Sequence, residues 1–267
     1  MSKNSLLDIA SFSPRPLQSP SAWVGHQPFA AWVIREVSLK IFAELGTHSG
    51  NLYFAFCQSA AEAELSTQCY AVDTWQGDEH ATYYREDVFA KVSAHHQEHY
   101  SGFSHLLRMT FDDAVTHFAD ESIDLLNIDG WRTYEAVRHD FVTWLLKLAP
   151  GTVAMLHDAN VREHNLGIWK FREELQTQYP HNVKFVHSYR LGILQLNNAL
   201  DGEQLRWLQA GLADMQMLTN DFSALGAREL ERFELKKEIA ERDKQIAAVP
   251  APQVGASRGY CAWLHTK

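Results

Sequence analysis

A short apolar run that leads into an acid and two glycines constrains this chain most. Residues 40–50 read Lys-Ile-Phe-Ala-Glu-Leu-Gly-Thr-His-Ser-Gly, and a helical pattern follows. This pattern predicts a strand, a tight turn and a helix start, because Gly46 permits a turn that a side chain would obstruct and Gly50 permits close approach of a ligand. Such turns present nucleoside-bearing cofactors. A dinucleotide motif starting at Gly46 would need glycines where His48 and Asn51 stand, and the Gly-Lys-Ser/Thr of a P-loop is absent from the sequence.

The composition is that of one folded domain with appendages. The 267 residues are 46% hydrophobic and 12% aromatic, which is enough to bury a substantial core. A formal net charge of -9 without a basic block argues against nucleic-acid binding, since neutralising phosphates requires excess Lys and Arg. Three cysteines without metal-like spacing predict reduced thiols in a cytoplasmic protein. We expect no standard export signal and no transmembrane segment, because the apolar runs are too short.

Strand and helix patterns alternate through the middle of the chain. They predict a helix at 27–37 and a partly helical insert at 78–98, with strands at 39–45, 68–73, 103–109, 123–129 and 152–158 separated by helices. Such alternation predicts an α/β, doubly wound, Rossmann-like parallel sheet. The runs 183–188 and 191–196 are separated by only two residues and therefore predict an antiparallel hairpin. The expected sheet thus has seven strands and ends in an antiparallel strand.

The two ends of the chain differ in composition from its middle. Residues 1–20 are rich in Ser and Pro and predict a flexible arm before a folded domain at 21–200. Residues 201–249 are polar and helical, with apolar residues near a coiled-coil spacing that permits a homo-oligomer. Pro and Gly in 250–267 predict a disordered tail.

Ordered motifs over roughly residues 20–196 resemble those of the class I S-adenosylmethionine (SAM)-dependent methyltransferases. Within that class the chain resembles a small family found beside or fused to glycosyltransferases in surface-polysaccharide biosynthesis. The motifs are Ser21–Ala30, Glu44–Gly50, Tyr70–Asp78, Leu107–Ala114, Ile128–Gly130, Tyr134–Phe141 and His157–Glu163. One departure follows Gly130, where the family usually has a His two residues on and this chain has Arg132. Guanidinium stays protonated, so Arg132 cannot replace a His in acceptor activation or metal binding.

The resemblance implies a SAM site at the ends of the first three strands. Glu44 would meet the ammonium group of SAM, and backbone amides of the turn would meet its carboxylate. Asp73, followed by Thr74, would accept hydrogen bonds from the ribose hydroxyls, although a turn cap is the alternative for this carboxylate. The remaining cofactor-binding residues are those of the turn and of the adenine segment, where Phe111 could equally be core: Gly46, Thr47, His48, Ser49, Gly50, Thr110, Phe111 and Asp112.

Acids at the ends of the fourth and fifth strands are the candidates for catalysis. Asp129 and Asp158, with Asn160, could hold Mg²⁺ or Mn²⁺, because hard cations prefer carboxylate oxygens. The metal-free alternative is that Asp129 contacts SAM while Asp158 caps a loop. His157 is the candidate general base, since an imidazole takes up a proton near neutral pH, and a structural histidine is the alternative. Arg132 completes the candidate catalytic set.

Together these observations predict a SAM-dependent O-methyltransferase. The expected acceptor is a sugar or another small hydroxylated molecule, including a glycan. The alternative is a SAM-binding module of weak activity that scaffolds a glycan-assembly complex, which the Arg132 departure motivates. A nicotinamide-dependent oxidoreductase is a weaker alternative, because the glycine spacing does not fit it.

Overall fold

The computed structural model describes residues 8–15, 21–37, 39–78, 82–83, 86–130, 133–157, 167–188, 191–196 and 212–248. These residues fall into two compact units, one that ends at Phe233 and one that begins at Glu234. The predicted tail at 250–267 lies outside the described residues, as does much of the predicted arm. The domain boundaries drawn from the sequence stay predictions.

Nine strands and seven complete α-helices are present in the described part of the chain, and residues 8–10 are helical as well. The strands are β1 (Ile41–Leu45), β2 (Gln68–Asp73), β3 (Gly77–Asp78), β4 (Thr82–Tyr83), β5 (Ser104–Arg108), β6 (Ile123–Ile128), β7 (Leu148–His157), β8 (Asn182–Phe185) and β9 (Leu191–Gln195). The α-helices are α1 (Gln27–Val37), α2 (Asn51–Glu62), α3 (Glu86–His99), α4 (Phe111–Ala114), α5 (Tyr134–Trp144), α6 (Ile168–Gln178) and α7 (Leu212–Ala247). Short 3₁₀ turns precede α1 and follow α4 and α5, at Val24–His26, Val115–His117 and Leu145–Lys147.

Seven strands form one sheet in the order β5-β2-β1-β6-β7-β9-β8. The first five in this order are parallel, whereas β9 pairs antiparallel with both β7 and β8. The predicted seven-stranded α/β sheet with a terminal antiparallel strand is therefore confirmed. The predicted insert contains the two-stranded β3–β4 hairpin and α3.

Helices cover both faces of this sheet, and each face has its own hydrophobic core. Successive β1 residues show the division, because Phe42 belongs to the core that includes α1 and α2, while Ala43 belongs to the core that includes α5 and α6. Strands buried on both faces are expected to be mostly apolar, and in β1 and β6 the exceptions are Glu44, Asp124 and Asn127. Polar side chains that follow the carboxyl ends of these strands are therefore candidates for a functional site.

The first part of α7 packs onto the core formed with α1. Phe222 is fully buried, and its ring lies 5.4 Å from that of Phe29 and 5.3 Å from that of Trp32, centroid to centroid. Gly226 comes so close to the carbonyl oxygen of Gly25 that a side chain there would clash. The predicted C-terminal helix is therefore present, and it packs against the turn that precedes α1.

From Glu234 onward the same helix is polar and exposed. Ion pairs at spacings of three and four residues run along it, such as Lys237 with Glu234 and Arg242 with Glu238, both 3.9 Å apart. Leu235 and Ile239 are exposed among these charges. None of the described helices combines the length and the apolar character that crossing a membrane requires.

Candidate active site

The carboxyl ends of four adjacent parallel strands bring the predicted site residues to one edge of the sheet. The register pairs Leu45 with both Val72 and Ile128, and Ile128 with Leu156. The residues that follow these positions therefore stand side by side: Gly46, Asp73, Asp129 and His157. Open α/β sheets bind ligands at this edge, where strand order reverses.

The turn after β1 is built from residues in left-handed conformations. Gly46 has φ of +90°, and a side chain there would clash with the backbone carbonyl oxygen of Asp129. Gly50 has φ of +77° and precedes α2, where a Cβ would lie 2.5 Å from the Phe54 ring. Gly50 N donates to Thr47 O over 2.8 Å and closes the turn. Thr47 and Ser49 are buried within it.

The Asp73 carboxylate holds this turn to the end of β2. His48 N donates to Asp73 Oδ2 over 2.8 Å, and Trp75 N donates to Asp73 Oδ1 over 2.7 Å. The indole nitrogen of the buried Trp75 donates to His48 O over 2.8 Å. Asp73 thus acts as a turn cap, and its role towards the ribose hydroxyls stays a prediction. Next to it, Thr74 Oγ1 accepts from Gln76 N over 3.3 Å.

Glu44 is a buried acid beside the glycine turn. Glu44 is only 2% exposed, and this burial raises the pKa of its carboxyl group well above that of a glutamate in water. Asn127 Nδ2 from β6 donates to Glu44 Oε2 over 3.0 Å and favours the ionised form. A cation placed next to Glu44 would favour it further. Asn127 was not identified from the sequence.

Asp129 and His157 meet at the ends of β6 and β7. His157 Nδ1 lies 3.3 Å from Asp129 Oδ1, and the His157 side chain is 1% exposed. Trp23 joins the pair from the segment before α1, because its Nε1 donates to Asp129 Oδ2 over 2.6 Å. The Trp23 ring also stacks on the His157 ring with centroids 3.8 Å apart. One indole therefore contacts both members of the pair.

Two further histidines lie behind His157. His26 is fully buried with its ring centroid 6.1 Å from that of His157, and its Nε2 contacts Ser188 O at 2.9 Å. His187 lies 4.6 Å from His26, centroid to centroid. Burial lowers the pKa of both rings below the usual value, so they are neutral near pH 7 and add no positive charge beside His157. Trp23 and His26 lie in the motif Ser21–Ala30, which was the available signal, whereas no local pattern marked His187.

The predicted adenine segment is only partly at the site. Thr110 caps α4 by accepting from Asp113 N, and Asp112 Oδ1 contacts the exposed His139 Nε2 at 2.9 Å. Phe111 reaches the site, since its ring would lie 2.5 Å from a Cβ placed on Gly130. The adenine role of these residues stays a prediction.

Three residues of the predicted catalytic and metal set lie outside the described residues: Arg132, Asp158 and Asn160. Among the residues that are described, no three His, Cys, Asp or Glu side chains are grouped to hold a metal ion. The metal prediction therefore stays a prediction, and of its three ligands only Asp129 can be placed.

Comparison with known proteins agrees with this architecture. Residues 43–159 match the model of the family Methyltransf_24, described as a methyltransferase domain. This part of the chain is thus similar to a methyltransferase domain. The chain is also 43% identical over 189 residues to the uncharacterized protein y4gI of Sinorhizobium fredii, an alignment that covers 71% of this chain and 21% of that protein. The chain thus spans about a fifth of this relative.

Solved structures were also compared with this chain. A Staphylococcus aureus protein assigned as a caffeoyl-CoA O-methyltransferase superposes with a TM-score of 0.50 at 14% identity, over 73% of this chain and 92% of that one. An O-methyltransferase from Bacillus cereus in complex with S-adenosylhomocysteine gives 0.48 at 13% identity, over 74% and 92%. The first of these likenesses shows that the chain has the predicted Rossmann-like fold.

Proposed function

We propose that this methyltransferase domain transfers the methyl group of SAM to a hydroxyl oxygen, with His157 as the general base. The observation that carries the proposal is the 3.3 Å contact between His157 Nδ1 and Asp129 Oδ1 beside the glycine turn. A carboxylate at Nδ1 orients the imidazole and stabilises its protonated form. The ring then takes the acceptor proton at its other nitrogen, Nε2.

The residues of the turn fit the methyl donor. Gly46 and Gly50 keep side chains away from the strand ends, and the backbone is held there by Asp73 and Trp75. Glu44 is a buried acid for which an ammonium group is a suitable partner, because pairing would offset the cost of burying a carboxylate. When bound, SAM supplies an electrophilic methyl on a sulfonium. The acceptor oxygen forms a bond to that carbon as the carbon–sulfur bond breaks, and the hydroxyl proton goes to His157.

The Asp129 contacts favour a metal-free base over a metal site. Asp129 already accepts a hydrogen bond from Trp23 and faces His157, so its carboxylate is used in orienting the base. The alternative in which Asp129, Asp158 and Asn160 bind Mg²⁺ or Mn²⁺ predicts that a strong chelator abolishes turnover. We expect methyl transfer to persist in chelator, and its loss would favour the metal.

We propose a sugar or another small hydroxylated molecule as the acceptor, in a cytoplasmic protein. This rests on the resemblance to methyltransferases found beside glycosyltransferases, and the acidic charge of -9 favours a neutral or cationic acceptor. Methyl transfer from labelled SAM to sugars, nucleotide sugars and glycan extracts tests it. Transfer confined to nitrogen or carbon acceptors would contradict it.

Cofactor binding and chemistry are tested separately. Ligand at a hundred times its dissociation constant stabilises a fold by about 2.7 kcal/mol, so SAM and S-adenosylhomocysteine should raise the melting temperature and NADH should not. His157→Gln should keep S-adenosylhomocysteine binding and lower kcat by about 10²–10⁴-fold, the range for loss of a general base. Unchanged kcat in His157→Gln would refute the proposed role.

The alternative of a SAM-binding scaffold gives a different result. It predicts ligand binding without transfer to any acceptor, and a gain of activity in Arg132→His. The proposed enzyme predicts transfer by the natural chain and little effect of that substitution.

A further inference from the structure

A small cavity lies beside the glycine turn, between α1, α2 and α3. Its volume is about 80 Å³, several times the roughly 10–15 Å³ that one water molecule needs. One side is formed by Ser49, Gly50 and Asn51, and another by Gln27. Basic side chains contribute to the lining from the N-terminal segment and from α3, namely Arg15, Lys91 and His95. The rest of the lining is Pro14, Phe54, Ala55, Gln58 and Val92.

Gln27, the first residue of α1, lines this cavity and has an unsatisfied polar atom. The residue is 0% exposed, and its Nε2 donates to Asn51 O over 2.7 Å. That bond fixes the orientation of the amide, because a carbonyl accepts only from the NH₂ group. Gln27 Oε1 is consequently a buried acceptor, and it has no hydrogen-bond partner among the described residues. Buried polar groups are normally paired, so a donor is expected here.

The chemistry around the cavity identifies the kind of donor. A ligand group that binds here must supply an N–H or O–H donor to Gln27 Oε1. It must also be compatible with the positive charges of Arg15 and Lys91. An α-amino acid group has both properties, since its ammonium donates and its carboxylate is attracted to the basic side chains. Ser49 and Gly50 belong to the turn at which the methyl donor binds in the proposed function. The cavity thus shares Ser49 and Gly50 with this turn.

We propose that Gln27 is a cofactor-binding residue whose Oε1 accepts a hydrogen bond from the α-ammonium group of the methyl donor. This inference rests on the proposed function. It adds a contact from outside residues 43–159, the part that matches the methyltransferase model. Glu44 then supplies the charge for the ammonium group, and Gln27 supplies a neutral acceptor of fixed orientation.

The test compares two ligands that differ only in the amino-acid end. S-adenosylhomocysteine carries this end, whereas 5′-methylthioadenosine has the same nucleoside thioether without it. Dissociation constants of both are measured by titration calorimetry on the full chain and on Gln27→Met, which keeps the side-chain length. We expect Gln27→Met to weaken S-adenosylhomocysteine at least tenfold and to leave 5′-methylthioadenosine within twofold.

Gln195→Met is the matched control. Gln195 is also buried, and it pairs with Val153 in the middle of β7, four residues before His157 at the site. It should leave both affinities unchanged. If Gln27→Met does not fold, as judged by circular dichroism, Gln27→Glu retains an acceptor and should bind S-adenosylhomocysteine within threefold of the natural chain, and a tenfold loss would overturn the proposal.

Two further outcomes distinguish failure of the Gln27 role from failure of the proposed methyltransferase function. Equal weakening of both ligands, or of neither, would overturn the role of Gln27 while leaving the methyltransferase intact. A natural chain that binds neither ligand would overturn the proposed function, and the inference with it.

Discussion

Replacing Trp23 by Phe removes one hydrogen bond from the candidate active site and leaves an aromatic ring in place. The indole donates to Asp129 Oδ2 over 2.6 Å, and its ring covers one face of His157. Phe retains a ring over the imidazole but has no N–H. The perturbation is therefore confined to the orientation of the Asp129 carboxylate.

The expected loss of kcat follows from the strength of a hydrogen bond to a charged carboxylate. A hydrogen bond to a charged group contributes about 1.5–3 kcal/mol, and each 1.36 kcal/mol in a barrier changes a rate tenfold. If the whole bond serves to orient Asp129 for His157, Trp23→Phe lowers kcat by about 10- to 150-fold. The dissociation constant of S-adenosylhomocysteine should stay within twofold, because Trp23 is not among the residues assigned to the cofactor.

Steady-state kinetics with labelled SAM, combined with calorimetric binding of S-adenosylhomocysteine, measure these quantities. Trp144→Phe is the control for the same chemical change, since Trp144 is fully buried and its Nε1 has no hydrogen-bond partner in the described part of the chain. It should leave kcat unchanged. The reasoning fails if kcat of Trp23→Phe stays within twofold of the natural chain, or if the whole loss lies in KM.

Three other substitutions probe the turn and the buried acids. Gly46→Ala should destabilise the fold by about 1–3 kcal/mol and abolish cofactor binding, because its φ of +90° and the carbonyl of Asp129 exclude a side chain; an unchanged melting temperature would contradict this. Trp75→Phe removes the bond to His48 O and should raise the SAM dissociation constant about tenfold with kcat preserved. Burial raises the pKa of Asp140 to about 7, so the fold binds its proton more tightly than the unfolded chain does, and stability falls as pH rises from about 4 through 7. Asp140→Asn should abolish this fall, which is about 2.7 kcal/mol between pH 5 and 8 in urea unfolding, while Glu135→Gln on the exposed face of the same helix should follow the natural chain.

The sheet could be predicted because each of its strands is marked by a pattern of residues that are close together in the sequence. Each strand is a short apolar run bounded by turn residues, and the two-residue gap between the last two runs allows only an antiparallel connection. Parallel strands in sequence order also place Asp129 and His157 at one edge, which made their contact foreseeable.

The contacts that complete the site could not be predicted in this way. Trp23 meets Asp129 across 106 residues, and Asn127 meets Glu44 across 83. Gln27 is distinguished only by one unpaired oxygen, which depends on the backbone of α2. Periodicity reports which face of an element is buried, but it does not report which polar atoms remain unpaired once the elements have packed.

The close approach of Gly226 to Gly25 joins the two ends of the described fold. His187 Nε2 contacts Gly25 O at 3.0 Å, and Ser223 Oγ of α7 contacts His187 Nδ1 at 2.9 Å. Helix α7 therefore supports the 3₁₀ turn Val24–His26, which directly follows Trp23. Detachment of α7 and loss of the Trp23 contact are then one cooperative event. A ligand that protects the site from hydrogen exchange should protect the backbone amides around Gly226 as well, and a chain ending at Asn198 should retain the cofactor turn while losing turnover.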